Sequence, residues 1–231
     1  MPRCVSCSAP LPAGTNKCSY CGTVNDTDLQ GINRYTTEKP ESDRICPSCS
    51  KPMKTIDLKI DGKFYIERCE KCMGIFFDPG ELEALLEKKV TNVFTIDHQR
   101  LEELKVDFYK NRSPIQYRKC PVCREVMQRL NYEEYSGVII DRCRNHGVWL
   151  DGGELKNIML WKKAGGELLA HNKNAEKEKM VASKIHQKHN TPVYTSADYA
   201  LSTLKGHNRH SYDGDDDILK SVANFIGKYF G

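Results

Sequence analysis

Strict alternation of apolar and polar residues is confined to a few short stretches of this chain, and those stretches come in pairs. Ile56, Leu58 and Ile60 alternate with polar neighbours, Asp61-Gly62 offers a turn that tolerates positive φ, and Phe64 and Ile66 return, so a hairpin is predicted. Leu130, Tyr132, Gly137, Val138 and Ile140 predict a looser hairpin around a longer turn. Each hairpin is followed by a short apolar run, Ile75-Phe76-Phe77 or Val148-Trp149-Leu150, and then by an aspartate with a glutamate three residues on. That spacing reads as a capping box with Asp78 or Asp151 as N-cap. Pro79 is tolerated in a first turn, and Leu82, Leu85 and Leu86, or Leu155, Ile158 and Met159, form one apolar helical face. Leu101, Leu104 and Phe108 predict a helix within 97–111, and Ile218, Val222, Phe225, Ile226 and Tyr229 fall at helical spacing behind Asp215, Asp216 and Asp217.

The pairing of these stretches is an internal repeat. Cys46, Cys49, Cys69 and Cys72 map onto Cys120, Cys123, Cys143 and His146 with an offset of 74, whereas Gly74, Asp78, Glu81 and Leu82 map onto Gly147, Asp151, Glu154 and Leu155 with an offset of 73. One residue, Met73 or its neighbour, is therefore missing from the second copy, and the longer reach of an imidazole is offered as the reason. Ten of the eleven cysteines lie in C-x-x-C pairs, including Cys4/Cys7 and Cys18/Cys21. The eleventh, Cys143, has His146 where its partner would stand.

Composition changes this picture in two ways. With 231 residues, eleven cysteines and 29% charged residues, the chain reads as several small units, which need staples in place of large cores. The start, MPRCVSC, lacks the charged end and apolar run of a secretory leader, and no stretch approaches the roughly 20 apolar residues of a membrane span, so a cytoplasmic location is expected. In a reducing compartment paired C-x-x-C motifs are read as metal sites before disulfides.

Zinc prefers four nitrogen or sulfur donors in a tetrahedron, and two C-x-x-C turns supply them. The expected ligand sets are Cys4, Cys7, Cys18, Cys21; Cys46, Cys49, Cys69, Cys72; and Cys120, Cys123, Cys143, His146, for three Zn²⁺ per chain. Iron in a rubredoxin-like or iron–sulfur centre is the rival metal. Four protein donors close each site, leaving no position for an activated water, so no catalytic residue is assigned and the chain is read as a non-enzyme. Asp78/Glu81 and Asp151/Glu154 are read as capping pairs, and His186, His189, His207 and His210 as solvated. Eleven thiolates and three zinc ions would turn the formal charge of +4 into about −1, so overall basicity argues for no partner.

The two copies resemble the zinc-ribbon family named for the zinc finger of transcription factor IIB. Its pattern, C-P-x-C, then C-x-x-C or C-x-x-H, then G-[IV]-[WF]-[LF]-D-x-G-E-L, is met from Cys46-Pro47-Ser48-Cys49 to Leu82 and from Cys120-Pro121-Val122-Cys123 to Leu155. The opening CVSCSAPLPAGTNKCSYCGT resembles a short zinc-ribbon domain found at protein termini. The resemblance implies a small metal-stabilised α+β fold of three zinc ribbons with rubredoxin-like knuckles, two carrying a β-hairpin and a capped short helix; the polar character beyond Gly166 and the helical spacing from Ile218 add a helical or mobile C-terminal tail. The organisation expected is a short ribbon at 1–25, a linker at 26–43, ribbon repeats at 44–90 and 118–164 joined by a linker helix at 91–117, a polar and partly mobile tail at 165–216, and an amphipathic helix at 217–231. For function the resemblance implies little, because zinc ribbons dock proteins, RNA and DNA alike; the closed sites and the surface hairpins and loops of the ribbons are read as a macromolecular interaction module. A protein assembly is the favoured partner, with the apolar face of Ile218, Val222, Phe225, Ile226 and Tyr229 as docking element. Nucleic acid held by Arg124, Arg129, Arg142 and Arg144 is the alternative, and a zinc-dependent redox or chaperone protein the second.

Overall fold

The structure, a computed structural model, describes residues 3–11, 15–29, 35–39, 41–60, 62–91, 93–110 and 115–189. The helix expected at 217–231, His207 and His210 lie outside them. Two compact units divide the chain, residues 1–179 and 180–231. The elements run β1 (Thr36–Lys39), β2 (Lys54–Asp57), β3 (Tyr65–Arg68), β4 (Ile75–Phe77), α1 (Glu81–Lys89), α2 (His98–Lys110), β5 (Gln128–Asn131), β6 (Ile139–Cys143), β7 (Gly147–Leu150), α3 (Glu154–Lys163) and α4 (Gly166–His189).

The repeats are not separate small units. The seven strands of the described residues form one antiparallel sheet in the order β1-β2-β3-β4-β7-β6-β5, so β2-β3-β4 of the first repeat meets β7-β6-β5 of the second across a β4–β7 seam. The register there is Ile75↔Leu150, Phe76↔Trp149 and Phe77↔Val148. A ribbon of this size buries too little surface to stand on its own core, and joining edge to edge removes two open strand edges while doubling the core.

Strand alternation sorts the seam onto two faces. Ile75, Phe77, Val148 and Leu150 join the main core beneath the helices, with Ile56, Ile66, Leu82, Leu85 and Leu86 from the first repeat and Ile140, Leu155, Ile158 and Trp161 from the second. Phe76 and Trp149 face the other way, into a smaller cluster with Met53, Met127 and metal-site cysteines. The seam also explains the glycine after each second ligand pair. At Gly74 the Trp149 ring occupies the place of a Cβ, while Gly147 has φ +110 and lies against the Phe77 carbonyl.

The capping boxes are half-formed. The helix N-caps are Gly80 (φ 85) and Gly153 (φ 99), not Asp78 and Asp151, and neither N-cap residue supplies a side-chain cap bond of its own. The glutamate half stands: the amides of Asp78 and Asp151 donate to Glu81 Oε2 (2.8 Å) and Glu154 Oε2 (2.7 Å). The aspartates instead pair with Arg44 (2.9 Å) and Arg118 (2.7 Å), whose guanidiniums outcompete a helix amide for a carboxylate.

Residues 26–43, read as a linker, hold two docking features. Strand β1 pairs with β2, and the segment before it clamps the N-terminal ribbon onto the repeats. Asp26 pairs with buried Arg68 (2.7 Å), Asp28 accepts from the amides of Gly153 (2.6 Å) and Lys156 (2.9 Å), and Leu29 enters the main core. Asp28 thus supplies from 125 residues away the N-terminal cap that α3 lacks locally. Burial pushes its carboxyl up to about 6 against the opposing pull of those two amides. Asp28→Ala is expected to lower stability by about 2 kcal/mol, because two N–H groups at a helix start, that of Gly153 buried and that of Lys156 partly so, lose their acceptor, with zinc content unchanged. Thermal unfolding would measure it, and an unaltered midpoint would mean that the clamp contributes nothing.

Beyond the repeats, Leu101, Leu104 and Phe108 bury the inner face of α2. The first part of the expected polar tail is the 24-residue helix α4, most of whose side chains are exposed. His186 and His189 fall in its last turn.

Candidate metal centres

Each metal group is built from two tight turns that reuse one backbone device. The amides of Cys4, Cys18, Cys46, Cys69 and Cys120 donate to the carbonyls of Ala9, Thr23, Lys51, Gly74 and Glu125, five residues on, while their own carbonyls accept from the residue four on. That fourth residue takes positive φ: Ser8 60, Gly22 72, Ser50 55, Met73 61, Arg124 66. The turn points both cysteine side chains of a C-x-x-C inward, and amides at Ser6, Ser48 and Val122 reach the sulfurs of Cys4, Cys46 and Cys120 at 3.4 Å.

The sixth turn, Cys143 to Gly147, is one residue shorter. Cys143 pairs directly with Gly147 in the β6–β7 ladder, and Gly147 combines the positive φ of Met73 with the close seam contact of Gly74. One glycine thus serves two positions, which accounts for the missing residue without appeal to the reach of the imidazole.

The structure brings all twelve sequence-assigned donors into three groups, within each of which the donor atoms lie within 4.8 Å of one another. A tetrahedral zinc with bonds of about 2.3 Å to sulfur sets its donors about 3.8 Å apart. Sulfur separations are 3.6 and 3.5 Å in the first group (Cys4–Cys21, Cys7–Cys18), 3.5 and 3.3 Å in the second (Cys46–Cys72, Cys49–Cys69) and 3.7 Å in the third (Cys123–Cys143). His146 offers Nδ1, 3.4 Å from Cys143 Sγ. Burial raises the Cys143 thiol, but the amides of Asn145 and His146 and the His146 ring win and bring it down to about 7, toward the thiolate a metal needs.

The groups differ in setting. The second and third lie against Phe76, Trp149, Met53 and Met127 at the seam, whereas the first is backed by little more than Leu11, and its Cys7 and Cys21 are exposed. Of the arginines considered for phosphate, Arg124, Arg142 and Arg144 are exposed, and Arg129 is half-buried and donates to the Gln116 carbonyl (3.0 Å). Sequence reasoning missed the buried arginines. Arg68 holds Asp26, and Arg118 lies between Asp151 and Asp141 (3.6 Å), whose carboxyl burial pushes up to about 6. The repeat carried the signal, since Arg44 and Arg68 map onto Arg118 and Arg142 with the same offset of 74.

This geometry coincides with a family match. The family described as transcription factor zinc-finger matches residues 45–88 and 119–160. Each match covers one of the two repeats, which are similar to zinc ribbons of that family. No match was found among curated proteins or among solved structures. In the two ribbons, and in the N-terminal group outside the match, the donor sets fit zinc in number, type and spacing. Protein expressed with adequate zinc is expected to carry three zinc ions by elemental analysis, and two, or chiefly iron, would contradict the assignment. Among the described residues no helix is long and apolar enough to cross a membrane.

Proposed function

We propose that the chain is a non-enzymatic interaction module whose two joined ribbons and N-terminal ribbon dock onto a cytoplasmic protein assembly, one related to transcription as the family description suggests. The observation that carries this reading is a surface groove of 460 Å³ between α2, the β5–β6 turn and α3–α4, lined by Leu101, Val106, Tyr109, Tyr135, Trp161 and Leu169. Val106 and Tyr109 are 49% and 71% exposed there, an apolar and aromatic strip of the kind that protein interfaces bury. Lys105, Lys173, Glu102 and Glu134 rim the groove with both signs of charge, which suits a protein better than a polyanion. The closed metal centres support a structural role for zinc. The apolar stripe from Ile218 to Tyr229 is a second docking element in this proposal.

The test is affinity purification of the full-length protein from its native cell, beside the surface variant Val106→Glu/Tyr109→Glu. A protein that survives nuclease treatment and is lost from the variant supports the reading. Nucleic acid as the sole companion, released by Arg142→Glu/Arg144→Glu and by salt, would replace it with the alternative favoured by the exposed Arg124, Arg142 and Arg144. Rapid zinc exchange with thiols open to alkylation would favour the redox or chaperone reading instead.

A further inference from the structure

The pseudo-twofold that relates the two ribbons creates two equivalent clefts, and the chain fills one of them itself. The filled cleft lies between the Cys69 turn of the first ribbon and the start of α3 in the second. An Asp-x-Asp segment occupies it: Asp26 lies on the Arg68 guanidinium, and Asp28 on the amides of Gly153 and Lys156. The repeat offsets place the other cleft between the Cys143 turn and the start of α1, where Arg142 stands for Arg68, and Gly80 and Glu83 stand for Gly153 and Lys156. A cleft of 290 Å³ is found there, lined by Asp78, Pro79, Gly80, Glu83, Arg142 and Arg144 among others.

We infer that this second cleft is a docking site for an acidic Asp-x-Asp segment of a partner protein, recognised as the chain recognises its own residues 26–28. Three observations fit that occupant. Arg142 is exposed, and among the described residues no ion pair engages it, whereas its counterpart Arg68 is buried beneath Asp26. Arg144 stands where the first ribbon has Glu70, which is itself held by Lys54 (2.6 Å), so the open cleft presents two arginines where the filled one presents one. The helix start is equivalent to one already shown to take a carboxylate on its amides. Glu83, in place of Lys156, is a reversal that disfavours an acidic occupant, as Arg144 in place of Glu70 is one that favours it, and Glu83 is exposed. The peptide carries two carboxylates two residues apart, one for the guanidinium and one for the helix amides. This inference rests on the protein-docking reading above and names the chemistry of one contact.

The probe is a fluorescent peptide with the sequence of residues 23–30, Thr-Val-Asn-Asp-Thr-Asp-Leu-Gln, titrated with the full-length zinc-loaded chain and followed by anisotropy. Saturable binding is expected, weakened about tenfold or more by Arg142→Glu/Arg144→Glu and by exchanging both peptide aspartates for asparagine. Zinc content of three and an unchanged thermal midpoint would show that the variant is folded. Equal binding by wild type and folded variant, or none by either, overturns the inference. A short oligonucleotide that displaces the peptide and binds more tightly assigns the cleft to phosphate and overturns it too. Asp215 and Asp217 of this chain share the spacing. If Asp215→Asn/Asp217→Asn makes the full chain bind the peptide about tenfold more tightly, the chain's own sequence is the occupant and the partner assignment falls. A partner still captured by Arg142→Glu/Arg144→Glu but lost from Val106→Glu/Tyr109→Glu would sink this inference and leave the proposed function standing.

Discussion

Replacing His146 by alanine is expected to remove one of the three zinc ions and to destabilise both ribbons together, whereas His146→Cys is expected to keep three. His146 is the donor that completes the group of Cys120, Cys123 and Cys143, with Nδ1 beside the Cys143 sulfur. A structural zinc site contributes roughly 10–16 kcal/mol of apparent binding energy, and a three-donor site retains only part of it. Three thiolates left around a weakened ion repel one another, and the turn between β6 and β7 loses its anchor. Cysteine restores four donors, and zinc needs a fourth donor more than it needs a particular one.

The damage is not expected to stay in the second ribbon. Strand β7, which starts at the residue after His146, pairs with β4, and Trp149 on β7 packs over Gly74 of the first ribbon. Zinc per chain and thermal unfolding of His146→Ala read both effects. A content of three zinc ions would return His146 to the status of a bystander. Loss of one zinc with an intact first ribbon unfolding at its original midpoint would mean that the ribbons are independent after all.

The hairpins and the donor sets were legible because their signals are local. Period-two alternation around Ile56 to Ile66 and paired C-x-x-C turns need only neighbours in sequence. The seam was not legible as a seam. Ile75-Phe76-Phe77 and Val148-Trp149-Leu150 are apolar at every position, the mark of a strand covered on both faces, yet nothing within either run names the strand beside it. The caps failed for a related reason. Asp78 and Asp151 have the right spacing, but Arg44 and Arg118, more than thirty residues upstream of each, take their carboxylates, and the helix starts fall to Gly80 and Gly153. Asp28 is the extreme case: nothing in the polar run Asn25 to Asp28 announces a cap for a helix that begins at Glu154.

Trp149→Ala is expected to lower stability by about 3–5 kcal/mol while leaving three zinc ions in place. Trp149 is fully buried at the centre of the seam, opposite Phe76, with its ring in the space that Gly74 leaves open. Truncation opens a void between two metal groups whose backing residues, Met53 and Met127, are held by the knuckle turns and have little freedom to close it. It also removes the indole N–H that donates to Asp151 Oδ1 (2.9 Å), a carboxylate already shared with Arg118. Trp149→Phe retains most of the volume and loses the hydrogen bond, so a smaller cost of about 1–2 kcal/mol is expected. The metal donors are untouched by either change, which separates this test from the one at His146. What changes is coupling: with the seam hollowed, amide exchange in β4 and β7 is expected to accelerate before that in β2–β3 and β5–β6, and calorimetry to show a broader, less cooperative transition. A cost under about 1 kcal/mol for Trp149→Ala, far below the usual range for a buried tryptophan, would show that the zinc centres hold each ribbon without help from its neighbour and that the shared sheet contributes little to stability.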